Sequence, residues 1–167
     1  ILRGNAYFHL GHYQEAIQDS AKAIELDPNL ATAYNNRAIA YNDLGQYQEA
    51  LQDSAKAIEL DPTIAIFYYN RGNAYFHLGQ NQEAIQNWTK AIELDPTDAD
   101  FYGNRSAGYL NLGQYQQVIQ DSDKAIELDP NHAGAYINRS RGYLNLGQLE
   151  LGYQDYVRAC GLDWQFC

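Results

Sequence analysis

"AYNNRAIAYNDLGQYQEALQDSAKAIELDP", residues 33–62, carries apolar and small residues at helical spacing on both sides of a single glycine, Gly45. Before it stand Tyr34, Ala38 and Tyr41, and after it Tyr47, Ala50, Leu51, Ala57 and Ile58. The segment reads as two helices joined by a short turn. Gly45 supplies the turn, because a left-handed backbone at the end of a helix costs glycine nothing. Pro62 ends the second helix: it has no N–H to donate, and it pushes Asp61 away from the helical region. Ala50 and Ala57 are small enough for the paired helices to approach closely.

The same unit recurs along the chain. Gly11, Gly45, Gly79, Gly113 and Gly147 lie 34 residues apart, as do Tyr7, Tyr41, Tyr75, Tyr109 and Tyr143. "AIELDP" occurs at 23–28, 57–62, 91–96 and 125–130. The period of 34 is present nearly five times.

The Tyr, Gly, Tyr, Ala, Ala and Pro of each unit resemble the tetratricopeptide repeat. The resemblance implies an all-α fold, a right-handed superhelical α-solenoid of helix–turn–helix repeats. It also implies one domain over 1–167, with repeats near 1–30 (incomplete at its N-terminal side), 31–64, 65–98, 99–132 and 133–166. Helices are expected near 1–10, 14–27, 31–44, 48–61, 64–78, 82–95, 98–112, 116–129, 132–146 and 150–162. Departures are local. Val118 and Gly152 replace the helix-contact Ala, Trp88 and Tyr156 stand where Ser20, Ser54 and Ser122 stand elsewhere, and Trp164 holds the place of a fifth Pro. Gly103 and Gly108 in the following unit are expected to make room for Trp88.

Composition excludes several functions. The chain has 167 residues, 46% of them hydrophobic, enough for a folded core and too many for disorder. No apolar run approaches the ~20 residues of a membrane span, and no basic segment leads into an apolar one as in a signal peptide. A net charge of −10 repels phosphate backbones, so nucleic acid is not an expected partner. The chain begins at Ile1 and contains no Met, and reads as a fragment; its compartment is open, with the cytoplasm favoured over secretion. Cys160 and Cys167 are no disulfide framework and read as free thiols, with pairing to each other or to a second chain as the alternative.

Most basic residues belong to the repeat. Lys22, Lys56, Lys90, Lys124 and Arg158 share one register, and Arg3, Arg37, Arg71, Arg105 and Arg139 share another. An Asp follows the Arg sixteen residues later in four units (Arg3/Asp19, Arg37/Asp53, Arg105/Asp121, Arg139/Asp155), which predicts ion pairs between paired helices. In the third unit Asn87 takes the place of that Asp. Arg141 is the basic residue left over.

Nothing reads as catalytic. No strand-to-helix elbow exposes a serine, and no glycine-rich phosphate loop is present. His9 and His77 are repeat equivalents two units apart, too far to share a metal with ligands at ~2.0–2.1 Å, and His9 and His12 alone are a weak pair. No metal and no cofactor is expected.

What remains is a protein or peptide partner, which the resemblance places in the concave wall lined by the first helix of each repeat. The residues implied there include Tyr69, Asn73, Phe76 and His77 in the third unit, Leu110 in the fourth, and Ile137, Arg141 and Leu144 in the fifth. Asn36, Asn70, Asn104 and Asn138 form a row whose amides either bind a peptide backbone or bond to neighbouring helices. Arg141 either anchors an acidic group of the ligand or pairs with a neighbour such as Asp100. The "NR" pairs resemble part of the carboxylate clamp of co-chaperones. The clamp's cationic positions hold Ile1, Ile66 and Asn70, so an acidic chaperone tail is not the expected ligand. A second reading is self-assembly through a chain end, where Leu162, Trp164 and Phe166 offer an apolar surface and a homo-oligomer would form.

Overall fold

A computed structural model describes residues 12–167 with their side chains, and its first helix, α1, is assigned as Leu2–Leu26. The remaining helices are α2 (Ala31–Asp43), α3 (Tyr47–Leu60), α4 (Ala65–His77), α5 (Asn81–Leu94), α6 (Ala99–Asn111), α7 (Tyr115–Leu128), α8 (Ala133–Asn145) and α9 (Leu149–Leu162), followed by a 3-10 turn at Trp164–Phe166. No strand occurs among the described residues. From residue 31 onward each helix end falls within one residue of its sequence expectation. The expected helices over 1–10 and 14–27 are instead one helix, α1, which runs through Gly11 without the expected turn, and the Arg3/Asp19 pair rests on a side chain outside the described ones.

The chain forms two compact units, Ile1–Gln80 with α1 to α4 and Asn81–Cys167 with α5 to α9. In the first unit α2 packs on α3, and α4 on both. In the second α6 pairs with α7 and α8 with α9, while α6 and α8, first helices of successive repeats, lie side by side.

The turn inside each repeat is set by its glycine. Gly45, Gly79, Gly113 and Gly147 have φ between 71° and 77°, a region closed to most side chains. At Gly45 the geometry is a Schellman cap: Gln46 N–H donates to Tyr41 C=O at 2.8 Å and Gly45 N–H to Asn42 C=O at 3.0 Å. The Asp-Pro stop has two functions. Asp61 turns extended (φ −143°, ψ 98°), and its carboxylate accepts from Thr63 N–H at 3.0 Å. Asp163 keeps this geometry (φ −144°, ψ 114°) although Trp164 stands in place of proline, and its carboxylate accepts from Gln165 N–H. The Asx turn therefore does not depend on the proline.

Alanines close the helix pairs. Ala38, Ala50, Ala57, Ala74, Ala84, Ala91, Ala125 and Ala159 are fully buried. Arg–Asp forks stitch the pairs together: Arg37 Nε and Nη2 donate to Asp53 at 2.6 and 2.8 Å, Arg105 to Asp121 at 2.7 and 2.8 Å, and Arg139 to Asp155 at 2.7 and 2.7 Å. These are the pairs expected from the sixteen-residue spacing. Asp155 raises the Arg139 guanidinium pKa through this hydrogen bond, with a further contribution from Asp123.

Trp88 is buried at 1% exposure, and its ring lies against Gly108, as expected. Gly103 does not contribute to that space. The imidazole of His132 fills it, with Nε2 2.7 Å from where a Cβ on Gly103 would stand. Cys160 and Cys167 form a disulfide, with Cα atoms 5.1 Å apart, so the expectation of free thiols is corrected.

Candidate functional site

The first helices carry a stripe at positions i, i+4, i+7 and i+11, one face of a helix. On α2 it is Thr32, Asn36, Ile39 and Asp43, all exposed. On α8 it is Gly134, Asn138, Arg141 and Asn145.

In the first unit, Asn70 is buried and bonded: its amide donates to Asn35 Oδ1 at 2.9 Å, and its carbonyl accepts from Asn42 at 3.0 Å. Asn36, which precedes its repeat's Arg in the same way, is exposed. Tyr69, Asn73 and Phe76 are half-buried. His77 is exposed and stacks on Tyr47 with ring centroids 4.9 Å apart and planes 9° from parallel, while the Phe76 ring meets it edge-on at 6.0 Å. The structure thus brings Phe76, His77 and Tyr47 into one aromatic group. The sequence reading had not placed Tyr47 there.

In the second unit, Asn138 is buried, and its amide donates to Ser106 Oγ at 2.9 Å and Gly103 C=O at 3.2 Å. Asn70 and Asn138 therefore hold first helix to first helix. Asn104 and Leu110 are half-buried, Ile137 is buried, and Leu144 is 44% exposed. The Arg141 side chain is exposed and makes no ion pair or hydrogen bond, although its carbonyl accepts from Asn145. Asp100, the alternative partner, lies instead 3.2 Å from His132 Nε2. That histidine caps α8, its Nδ1 accepting from Ala135 N–H at 3.0 Å. Nothing in the residue pattern flagged this cap. An Asp at the same place in the preceding repeat, Asp98, caps α6, and comparing the two repeats is the signal that could have found it.

At the far end of the second unit, Trp164 is 79% exposed while Leu162 and Phe166 are half-buried. Leu149, Tyr153 and Val157 of α9, which the sequence reading did not single out, are 67%, 63% and 51% exposed. No cluster of three or more metal-ligating side chains occurs among the described residues, and no helix there is long and apolar enough to cross a membrane.

Comparison with known proteins agrees with this architecture. Family profiles described as tetratricopeptide repeat match residues 65–98 and 87–120, and one described as TPR repeat matches 4–43 and 40–79. No curated protein matches the chain. Among solved structures, the crystal structure of MamA superposes with a TM-score of 0.83 at 26% identity, over 93% of this chain and 91% of that one. The TPR domain of Arabidopsis OM64 is 31% identical, with a TM-score of 0.60, over 60% of this chain and 84% of that one. YrrB, a TPR protein with an unusual peptide-binding site, shares the fold with a TM-score of 0.75 at 24% identity, over 95% of this chain and 82% of that one.

Proposed function

Because the chain belongs to the tetratricopeptide-repeat family, we propose that it is a non-catalytic adaptor that binds an extended segment of another protein along its first helices. The observation that carries this reading is Arg141. Arg37, Arg105 and Arg139 are each forked onto an aspartate, and Lys56, Lys90 and Lys124 each meet a glutamate three residues on. Arg141 is spent on nothing, in a protein of net charge −10. A guanidinium left open beside the exposed Leu144 suits a ligand with an acidic group next to an apolar side chain. Asn104 and Leu110 on α6 extend the same surface, and Tyr69, Asn73, Phe76 and His77 offer a polar and aromatic face on α4. Asn36 is the exposed amide for backbone recognition; Asn70 and Asn138 are buried and hold first helix to first helix, each within its own unit, and Ile137 is buried on the helix that carries Arg141 and Leu144.

The test is selection from a random-peptide library, followed by titration of the selected peptides. Peptides enriched on the wild type should carry an acidic residue. Arg141→Ala should weaken them by roughly tenfold or more, the equivalent of a charge-assisted hydrogen bond of about 1.5–3 kcal/mol. Equal affinity for the variant, or no acidic enrichment, overturns the assignment.

A further inference from the structure

In the second unit α5 and α7 are each covered by the first helix of the following repeat, through three positions on α5 and two of the same three on α7. On α5, Asn81 accepts from Asn111 at 3.0 Å, Ile85 lies against Gly108, and Thr89 accepts from Arg105 at 3.0 Å. On α7, Ile119 lies against Gly142, and Asp123 takes Arg139 at 2.6 Å. The period carries these positions onto Leu149, Tyr153 and Val157 of α9. There they form an apolar stripe spaced every four residues. Ile85 and Ile119 are 5% and 7% exposed, whereas Tyr153 is 63% exposed.

Another repeat of this kind does not suit that face. A Cβ on Gly108 or Gly142 would stand only 2.9 or 3.2 Å from the isoleucine opposite, so the joint has no slack for a phenol ring in the isoleucine's place. Val157 also offers no oxygen to the repeated arginine, unlike Thr89 and Asp123. Ala21 and Ala55 hold this position in the first unit and lack the oxygen too, but they are smaller.

We propose that the outer face of α9 binds a second copy of this chain, helix α9 antiparallel to helix α9 about a two-fold axis at Tyr153. The stripe reads alike from either end, with Leu149 four residues before Tyr153 and Val157 four after. Antiparallel pairing sets Tyr153 on Tyr153 and Leu149 on Val157, the self-complementary match a two-fold interface demands. Charge agrees with shape. Glu150, which accepts from Gln154 at 3.0 Å, and Arg158, whose guanidinium lies 5.8 Å over the Tyr136 ring, are exposed along one flank, and the same pairing brings Glu150 of one copy within reach of Arg158 of the other, twice per dimer. Trp164 adds apolar surface beyond the end of the stripe. With aromatics offering about 150–250 Å² each, the buried area falls at the weak end of stable interfaces, near about 1,200 Å² in total, which gives a concentration-dependent dimer.

Sedimentation velocity over a concentration series tests this with wild type, Tyr153→Glu, Glu150→Arg, Arg158→Glu and the double charge reversal. Wild type should rise from monomer to dimer and stop there, and Tyr153→Glu should weaken association by roughly tenfold or more. Each single reversal should weaken it, and the double reversal should restore it. Because the substituted side chains are exposed, circular dichroism melts should show every variant folded. A wild type that stays monomeric at millimolar concentration, or grows past the dimer, overturns the proposal. So does a Tyr153→Glu variant that dimerises normally, or a double reversal no better than the single ones.

Discussion

Gly108 lies so close to Trp88 that a Cβ there would stand 3.1 Å from Cζ3 of the indole, and 2.9 Å from Cγ1 of Ile85. Gly→Ala inside a helix normally stabilises by about 0.5–1 kcal/mol. Here overpacking reverses the sign, and Gly108→Ala should destabilise by about 1–3 kcal/mol. In a Trp88→Ser background, which restores the residue of the first, second and fourth repeats, the same change should cost distinctly less. Denaturant melts of the four proteins measure this coupling, and additive effects would count against it.

Arg139 serves two carboxylates, one of them the buried Asp155. Arg139→Ala strands that charge, at a cost near the lower end of the roughly 3–5 kcal/mol known for buried pairs, since the guanidinium is partly exposed. Arg139→Lys keeps the charge but loses the fork, and should recover less than half. Arg141→Ala, at an exposed side chain without partners, should stay within about 0.5 kcal/mol of wild type. Urea midpoints of the three variants give the ranking, and comparable losses in all of them would refute it.

Asn138→Ala should cost about 1–3 kcal/mol, because the amide is buried and bonds to α6. Asn36→Ala should be nearly neutral in stability. If thermal melts place the two variants together, the asparagine row has one role throughout, contrary to their different burial.

Asp61 and Asp95 titrate below the usual carboxylate range, chiefly because the Thr63 and Thr97 hydroxyls donate to them, with the backbone N–H adding to the effect. A lowered folded pKa means that each contributes stability above the unfolded value, near pH 4, and loses it as pH falls through the folded value. Asp61→Asn/Asp95→Asn should therefore melt below wild type at pH 6, and the gap should narrow once the pH is taken below about 4. Melting curves at both pH values check the sign; a gap that widens on acidification refutes it.

The helices were legible because each boundary is written in local chemistry: a glycine for positive φ, and an Asp-Pro for extended backbone with its own carboxylate cap. The Arg–Asp forks were legible for a related reason, since a fixed spacing within one hairpin fixes the distance between side chains. The asparagine row was not. Whether Asn138 faces solvent depends on how closely α6 and α8 approach, and that is set by Gly103 and Ser106, one period away. The same holds for Gly103, whose empty space is filled by His132 rather than by Trp88. The apolar face of α9 was missed because Tyr153 and Val157 look ordinary until they are compared with Ile119 and Asp123, which α8 covers in the preceding repeat.

The forks also bear on how such a chain can change length. In the second, fourth and fifth repeats the forked arginine and aspartate belong to one hairpin, so duplicating or excising such a period brings or removes that counter-charge with it; the third repeat, with Asn87 in place of the aspartate, is the exception. The joint between α5 and α6 obeys a different rule. An indole on one side requires a bare Cα on the other, which Gly108 and Gly142 offer and Ala40 and Ala74 at the same position do not: charge would permit the order to be shuffled, and shape restricts which hairpins can follow this one.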